Sequence, residues 1–207
     1  MPNTKSRYGV HPGVAITQKR IAELKGKTGR TLSEWTALIR HAGPPDRKKR
    51  LEWLKHEHGL GMNYAMFLAE RAEGEGRGAD LDSPKAYLAA AERYVAEMFA
   101  GPRAGLKPLY EELLALGLGL GPDVQACPCQ TIVPLYRKHV FAQIKPATRT
   151  RIDLGFALGG RRAEGRLIST GGYEKKDRIT HRIPIESAED IDQEVTRWMR
   201  VAYEEDQ

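Results

Sequence analysis

The chain has 207 residues, of which 41% are apolar and 29% are charged, a balance typical of soluble globular proteins and unlike that of disordered ones. No stretch approaches the roughly 18 consecutive apolar residues that a membrane helix needs, and the polar, basic start is not followed by an apolar segment. We therefore expect no membrane span and no secretory signal, and we place the protein in the cytoplasm.

The formal net charge of +6 is unevenly distributed along the chain. Residues 1–58 carry 13 Lys and Arg against 5 Asp and Glu, and residues 137–182 carry 12 against 4, whereas residues 183–207 carry 2 against 8. This segregation has two interpretations. Either the basic regions form surfaces that attract a polyanion, or the acidic last helix partly neutralises its basic neighbour within the fold.

The two cysteines, Cys127 and Cys129, are separated by one residue. Side chains two apart on a strand share a face, but their Cα atoms lie about 6.5–7 Å apart, at the limit for a disulfide. A structural zinc site needs about four ligands, and the nearest histidine is His139. We therefore expect reduced, structural thiols, no metal site and no cofactor.

Helical patterns fill the first part of the chain, after an arm at 1–13 that contains several Pro and Gly residues. Thr31 and Glu34 fit a capping box, in which each side chain accepts a hydrogen bond from the other residue's backbone amide. Gly59 fits the end of a helix, and residues 73–82 have the composition of a flexible linker. The apolar spacing predicts helices over residues 14–27, 31–42, 47–58 and 62–72.

The clearest strand pattern lies at residues 150–158, where apolar residues alternate strictly with polar or small ones. Such alternation implies a sheet with one buried face. Amphipathic helices at 103–116 and after Ser187 are available to cover that face. The pattern also predicts a polar loop at 159–176. The other predicted strands cover residues 123–127, 130–136, 139–145 and 178–185.

Together these elements predict an α+β protein, in which an N-terminal helical bundle is followed by an antiparallel sheet of about five strands flanked by N- and C-terminal helices. We place the helical domain, with its basic arm and linker, at residues 1–82 and the sheet domain at residues 83–207. The helix predicted at 84–99 has proline at its first position, and it fits either side of this boundary.

Six motifs of the chain are distinctive. They are Y-G-V-H-P-G-V-A (8–15), K-T-G-R-T-L-S-E-W (27–35), W-L-K-H-E-H-G-L-G-M-N-Y-A (53–65), F-A-Q-I-K-P (141–146), R-I-D-L-G-F (151–156) and T-H-R-I-P-I (180–185). The first three resemble a small helical domain, and the last three resemble a second uncharacterised domain that often follows it, in a bacterial two-domain family of unknown function. The second domain is similar in pattern to frataxin-like, iron-chaperone-like sheets, so the resemblance implies that fold and, as a function, the handling of iron.

Two groups of cationic side chains are candidates for binding a polyanion such as nucleic acid. One group lies on the third predicted helix, and the other lies on the edge of the predicted sheet and in its polar loop. After the third helix, Gly59 and the next helix partly resemble a helix-turn-helix. That next helix offers only Asn63 to read a base, so contacts with the phosphate backbone are expected instead. The alternative to anion binding is structural: these cations form ordinary solvated faces of the fold, and Arg151 pairs with Asp153. The candidates are Arg47, Lys48, Lys49, Arg50, Lys55, Arg137, Lys138, Lys145, Arg149, Arg151, Arg161 and Arg162.

The alternative function is the binding of a small ligand or of iron by the sheet domain, with Tyr136, His139 and Phe156 as pocket candidates. Iron delivery would need a ridge of carboxylates, whereas most acids of this domain fall in its last helix. His181 shares a face with apolar neighbours and is expected in the core. The sequence has no phosphate-binding glycine loop, nucleophile elbow or zinc-protease motif. We therefore favour a non-catalytic binding or adaptor protein and leave enzymatic activity open.

Overall fold

A computed structural model describes residues 6–73 and 78–207, which fold into two compact units. His11–Ala89 belong to a helical unit, and Ala90–Gln207 form a sheet unit together with the described residues up to Val10. The helix α5 (Pro84–Met98) contributes residues to both units. The start of the predicted arm and the middle of the predicted linker, residues 74–77, lie outside the described residues.

The helical unit follows the predicted order of helices, and their bounds agree with the sequence pattern to within two residues. After the last of them, a short 3-10 helix at Ala79–Leu81 precedes α5. The four helices before it are α1 (Gly13–Thr28), α2 (Leu32–Ala42), α3 (Arg47–His56) and α4 (Met62–Ala72).

Side-chain caps fix where α2 and α3 begin. Thr31 Oγ1 accepts from the Glu34 amide at 3.3 Å, and the Glu34 carboxylate accepts from the Thr31 amide at 2.7 Å, so the predicted capping box is confirmed. At the start of α3, Asp46 accepts from the Lys49 amide at 2.9 Å. Each cap stabilises its helix by about 1 kcal/mol.

The core of the helical unit is built from the apolar stripes of its helices. Trp35 of α2 is 2% exposed, and its indole N–H donates to Thr28 Oγ1 at 2.7 Å. The His58 ring lies edge-on to Trp35 and to Trp53, at centroid distances of 5.3 and 4.3 Å. The buried members are Leu24, Trp35, Ile39, Leu54, Leu60, Ala65, Phe67, Leu68 and Ala69.

The sheet unit is an α+β layer, as predicted. Its six strands are all antiparallel, in the order β1-β2-β3-β4-β6-β5. After α5, a 3-10 helix at Gly101–Leu106 leads directly into the next α-helix. The elements are α6 (Lys107–Leu118), β1 (Gln125–Ala126), β2 (Val133–Tyr136), β3 (Val140–Pro146), β4 (Ile152–Phe156), β5 (Ile168–Ser169), β6 (His181–Ile185) and α7 (Gln193–Glu205).

Three features of the sheet unit differ from the sequence prediction. The helix predicted at 103–116 starts as the 3-10 helix at Gly101–Leu106, and α6 then runs on to Leu118. The predicted loop at 159–176 contains β5, which pairs with β6 through only two residues and is too short to show an alternation. The last helix begins later than expected, because Ser187 caps a 3-10 turn at Ala188–Asp190. Asp192 then accepts from the first amides of α7.

The buried face of the sheet follows from the register of the central strands. Ile144 of β3 lies opposite Leu154 of β4, and Leu154 lies opposite Ile183 of β6, with all three fully buried. Both α6 and α7 contact β3. Gly117 of α6 comes so close to the sheet that a Cβ there would lie 2.4 Å from Leu135 Cδ1. The common interior expected from residues 150–158 is therefore present, covered by the helices before and after it.

Candidate polyanion-binding face

The alternation that buries Ile152 and Leu154 places Asp153 on the opposite face of the sheet. Pairing of β3 with β4 sets Lys145 directly across from Asp153. Arg151 Nε donates to Asp153 Oδ1 at 3.0 Å, and Arg182 Nη1 of β6 donates to the same oxygen at 3.1 Å. We call Lys145, Arg151, Arg182 and the central Asp153 the open-face cluster.

Charge in the open-face cluster is not balanced, because it holds three cations, two of them paired with Asp153, and one carboxylate. The Asp153 side chain is 18% exposed, whereas those of Arg151 and Arg182 are 32% and 30% exposed and Lys145 is exposed. Partly exposed pairs of this kind contribute only about 0–1 kcal/mol. Each guanidinium has five N–H donors, so donors remain for the oxygens of an anion.

The turn between β3 and β4 extends the same basic region. Arg149 lies in this turn and is exposed, and the structure shows no ion pair for it among the described residues.

On the strands themselves, Gly155 lies opposite both Gln143 and Arg182. A Cβ at Gly155 would lie 2.7 Å from Ile179 Cγ2 and 3.0 Å from Gln143 Cγ. The glycine therefore allows these neighbouring side chains to lie close over the strand.

Two other predicted cations of the sheet unit are held by acids of the same unit. Arg137 Nε donates to Asp123 Oδ2 at 2.8 Å, and its guanidinium lies 4.4 Å from the centroid of the Tyr203 ring. Arg161 donates to Glu205 near the end of α7. Partial neutralisation by acids in and around the last helix, the alternative raised from the sequence, therefore describes Arg161. It also describes Arg166 and Arg178, which pair with Glu194 and Asp206. Lys138 and Arg162 are exposed.

The basic group of α3 is also divided between structural and solvent-facing cations. Arg50 is 9% exposed and donates to the carbonyls of Pro44 and Pro45 at 3.1 and 2.8 Å. Its Nη1 and the Arg47 Nε lie 3.5 and 3.6 Å from Glu73 Oε1. Arg50 thus fastens the turn before α3 to its own unit. Lys48 and Lys49 are exposed, and Lys55 is half-buried.

The three pocket candidates lie in three different environments. Phe156 is fully buried in the sheet core, so its ring does not reach solvent. His139 lies in the β2–β3 connection, where its Nδ1 is 3.0 Å from Asp206 Oδ1. Tyr136 ends β2 and is half-buried; burial first, and then the nearby thiols of Cys127 and Cys129, raise the pKa of its hydroxyl to about 12.

The two cysteines are free thiols. Burial raises the pKa of the Cys127 thiol to about 12 and also raises that of Cys129, so both are protonated at neutral pH. Among residues 6–73 and 78–207, no three His, Cys, Asp or Glu side chains gather as a metal-binding group. In the same part of the chain, every helix is too short or too polar to cross a membrane.

Sequence reasoning missed Arg182, although a weak signal was present. In T-H-R-I-P-I, Arg182 alternates with His181 and Ile183, which places it on the face opposite the core. Its approach to Asp153 depends on the pairing of β6 with β4, and 29 residues separate the two in sequence. Nothing in the local pattern specifies that pairing.

Comparison with family models identifies both units of the chain. Residues 95–206, more than half of the chain, match the model of a domain of unknown function, DUF5655. The chain belongs to this family. The DUF5655 match includes all six strands and the open-face cluster, and residues 17–74 match a second domain of unknown function, DUF4287. The predicted two-domain family of unknown function is thus confirmed. No curated protein and no solved structure matches the chain.

Proposed function

We propose that the sheet unit binds a polyanion, with nucleic acid as the first candidate, through the open-face cluster and without catalysis. The observation that supports this function most strongly is that Arg151 and Arg182 both donate to the single carboxylate of Asp153, with Lys145 directly opposite Asp153 on the neighbouring strand. One carboxylate cannot neutralise three cations. Phosphate oxygens would supply the missing negative charge and accept the remaining guanidinium hydrogen bonds.

The arrangement of the cluster favours an extended anion over a small enclosed one. Lys145 lies on β3, Arg151 directly precedes β4 and Arg182 lies on β6. These three strands are adjacent, and neighbouring strands lie about 4.8 Å apart. The cluster therefore spans about 10 Å, which is enough to meet two or three successive phosphates along a nucleic-acid backbone. Arg149 in the adjoining turn lengthens this path.

The chemistry of the cluster predicts weak sequence preference. The lysine and arginine side chains of the cluster lie on a sheet face, where we expect them to contact phosphates. Contacts to phosphate position a nucleic acid but do not read its bases. No side chain of the four-member cluster is aromatic, so base stacking of the kind found on single-strand platforms has no partner within it. We expect single-stranded and duplex ligands of different sequence to bind with similar affinity.

The direct test is fluorescence anisotropy with labelled 20-nucleotide single-stranded DNA, single-stranded RNA and duplex DNA at about 50 mM salt. Arg182→Gln removes one cation and leaves Asp153 paired with Arg151, so we expect affinity to fall about 5-fold, equivalent to about 1 kcal/mol. Arg200→Gln is the matched control, because Arg200 is exposed on α7 and lies outside the cluster.

A paired variant separates the two basic groups of the chain. Lys48→Gln with Lys49→Gln removes the solvent-facing cations of α3 and is expected to change affinity less than Arg182→Gln alone. Binding that is unaffected by Arg182→Gln but lost in the α3 variant would place the interaction on the helical unit. No binding of any of the three probes at low salt would remove the proposed function.

A further inference from the structure

The helical unit contains a cavity that the proposed function does not use. Its volume is about 750 Å³, within the usual range of small-molecule sites. Its walls come from the second half of α1, the start and middle of α2, the end of α4 and the short 3-10 helix before α5. All of these elements belong to the helical unit.

A buried arginine at this cavity has an unused donor. Arg71 is 7% exposed, stacks its guanidinium 3.7 Å from the centroid of the Phe67 ring, and donates from Nη2 to Asp82. Within the described part of the chain, its buried Nε has no hydrogen-bond partner. Buried N–H groups nearly always find an acceptor. Because Arg71 lines the cavity, its guanidinium is available to the anionic group of a ligand there.

The charges around the cavity favour an anion. Lys25 and Arg40 line it from α1 and α2 and are both exposed. Together with Arg71 they place three cations on its wall, against one acidic side chain, that of Asp82.

The rest of the wall is largely apolar. Ile21 and Leu32 contribute large aliphatic side chains to it, and Ala22 and Ala79 contribute small ones. Inorganic phosphate alone would leave this apolar wall in contact with water. A ligand that carries both an apolar body and an acidic group would match both parts of the cavity.

We propose that this cavity binds a small amphipathic organic anion, whose carboxylate or phosphate lies against Arg71, Lys25 and Arg40 and whose apolar body packs on Ile21 and Leu32. This site is separate from the open-face cluster and does not depend on the proposed function. Asp82, which also lines the cavity, accepts from Arg71 Nη2 and holds the guanidinium in place.

Isothermal titration calorimetry of the full chain with octyl phosphate and octanoate tests the proposal. We expect each amphiphile to bind saturably, with one molecule per chain. Inorganic phosphate carries only the acidic group and octanol only the apolar body, so the affinity for each of them should be at least 10-fold lower. Arg40→Gln and Lys25→Gln, both at exposed positions, are each expected to weaken binding about 3- to 10-fold. Lys19→Gln removes an exposed cation of α1 outside the cavity and should leave affinity unchanged.

Three results would overturn the proposal. The first is no saturable heat with either amphiphile at concentrations up to about 1 mM. The second is equal affinity in Arg40→Gln, Lys25→Gln and the Lys19→Gln control. The third is a loss of binding in Arg182→Gln, which would move the anion to the sheet unit. Thermal unfolding of each variant confirms that it is folded before titration, so a loss of affinity is not mistaken for a loss of structure.

Discussion

Asp206 connects the end of α7 to the β2–β3 connection. Its side chain is 1% exposed and accepts from the backbone amides of Lys138 and His139 at 3.0 and 2.8 Å. Arg178 Nη2 donates to the same carboxylate at 2.6 Å. Burial by itself would raise the pKa of Asp206, but the hydrogen bonds from His139 and the charge of Arg178 outweigh it, so the pKa lies below its usual value.

Replacing Asp206 tests this connection. Asp206→Asn keeps one acceptor oxygen but removes the charge, and we expect the free energy of unfolding at pH 7 to fall by about 1–3 kcal/mol. A carboxyl whose pKa is lowered in the folded state stabilises the fold above its unfolded pKa of about 3.9 and loses that effect as pH falls through the folded value. The difference in the free energy of unfolding between the wild type and Asp206→Asn should therefore become smaller from pH 5 towards pH 2.

Urea unfolding followed by circular dichroism at pH 7 and pH 3 provides the measurement. Glu204→Gln is the control, since Glu204 is an exposed acid in the same last turn of α7, and it should change stability by less than about 0.5 kcal/mol. A difference between wild type and Asp206→Asn that is as large at pH 3 as at pH 7 would show that the charge of Asp206 does not stabilise the folded chain.

At the scale of elements, the packing of α6 on the sheet depends on Gly117. Gly117 is buried, and an added Cβ would lie 2.4 Å from Cδ1 of Leu135, itself fully buried on β2. Gly26 offers a comparison within α1, because it is exposed and an added Cβ there would have no atom within 4 Å. The same substitution in two helices thus separates packing from helix propensity.

Alanine at both positions gives opposite expected results. Gly26→Ala should raise the free energy of unfolding by about 0.5–1 kcal/mol, because alanine loses less conformational entropy in a helix. Gly117→Ala should lower it by about 1–3 kcal/mol, because overpacking exceeds that gain. Chemical denaturation of the two variants measures both changes. Equal stabilisation by both would mean that α6 can move away from β2 without cost.

Local patterns predicted most elements of the fold, because each helix and long strand repeats its apolar residues at its own period. The capping box at Thr31 and the alternation through Leu154 are examples that the structure confirms. The short strand β5 has two residues and shows no period. The start of α7 was placed too early because Ser187 and Asp192 are both good caps, and sequence alone does not decide between them.

For the molecule as a whole, the long-range pairing of charges could not be predicted from the sequence. Arg137 and Arg161 belong to the basic region, yet each is held by an acid from a distant part of the chain, Asp123 or Glu205. The pairing of Arg151 with Asp153, raised as an alternative to anion binding, is present and could be foreseen because the two residues lie only two positions apart at the start of β4. Long-range partners require the strand order, which local periodicity does not contain.

The salt dependence of binding tests the proposed function most directly. If the open-face cluster and Arg149 neutralise about three to four phosphates of duplex DNA, log K should fall with log salt at a slope of about −2.7 to −3.6, and affinity should drop on the order of 50- to 150-fold between 50 and 200 mM salt. A double variant, Lys145→Gln with Arg182→Gln, removes two contacts and should reduce the slope by about 1.8. A wild-type slope near zero, or the same slope in the double variant, would contradict polyanion binding by this face.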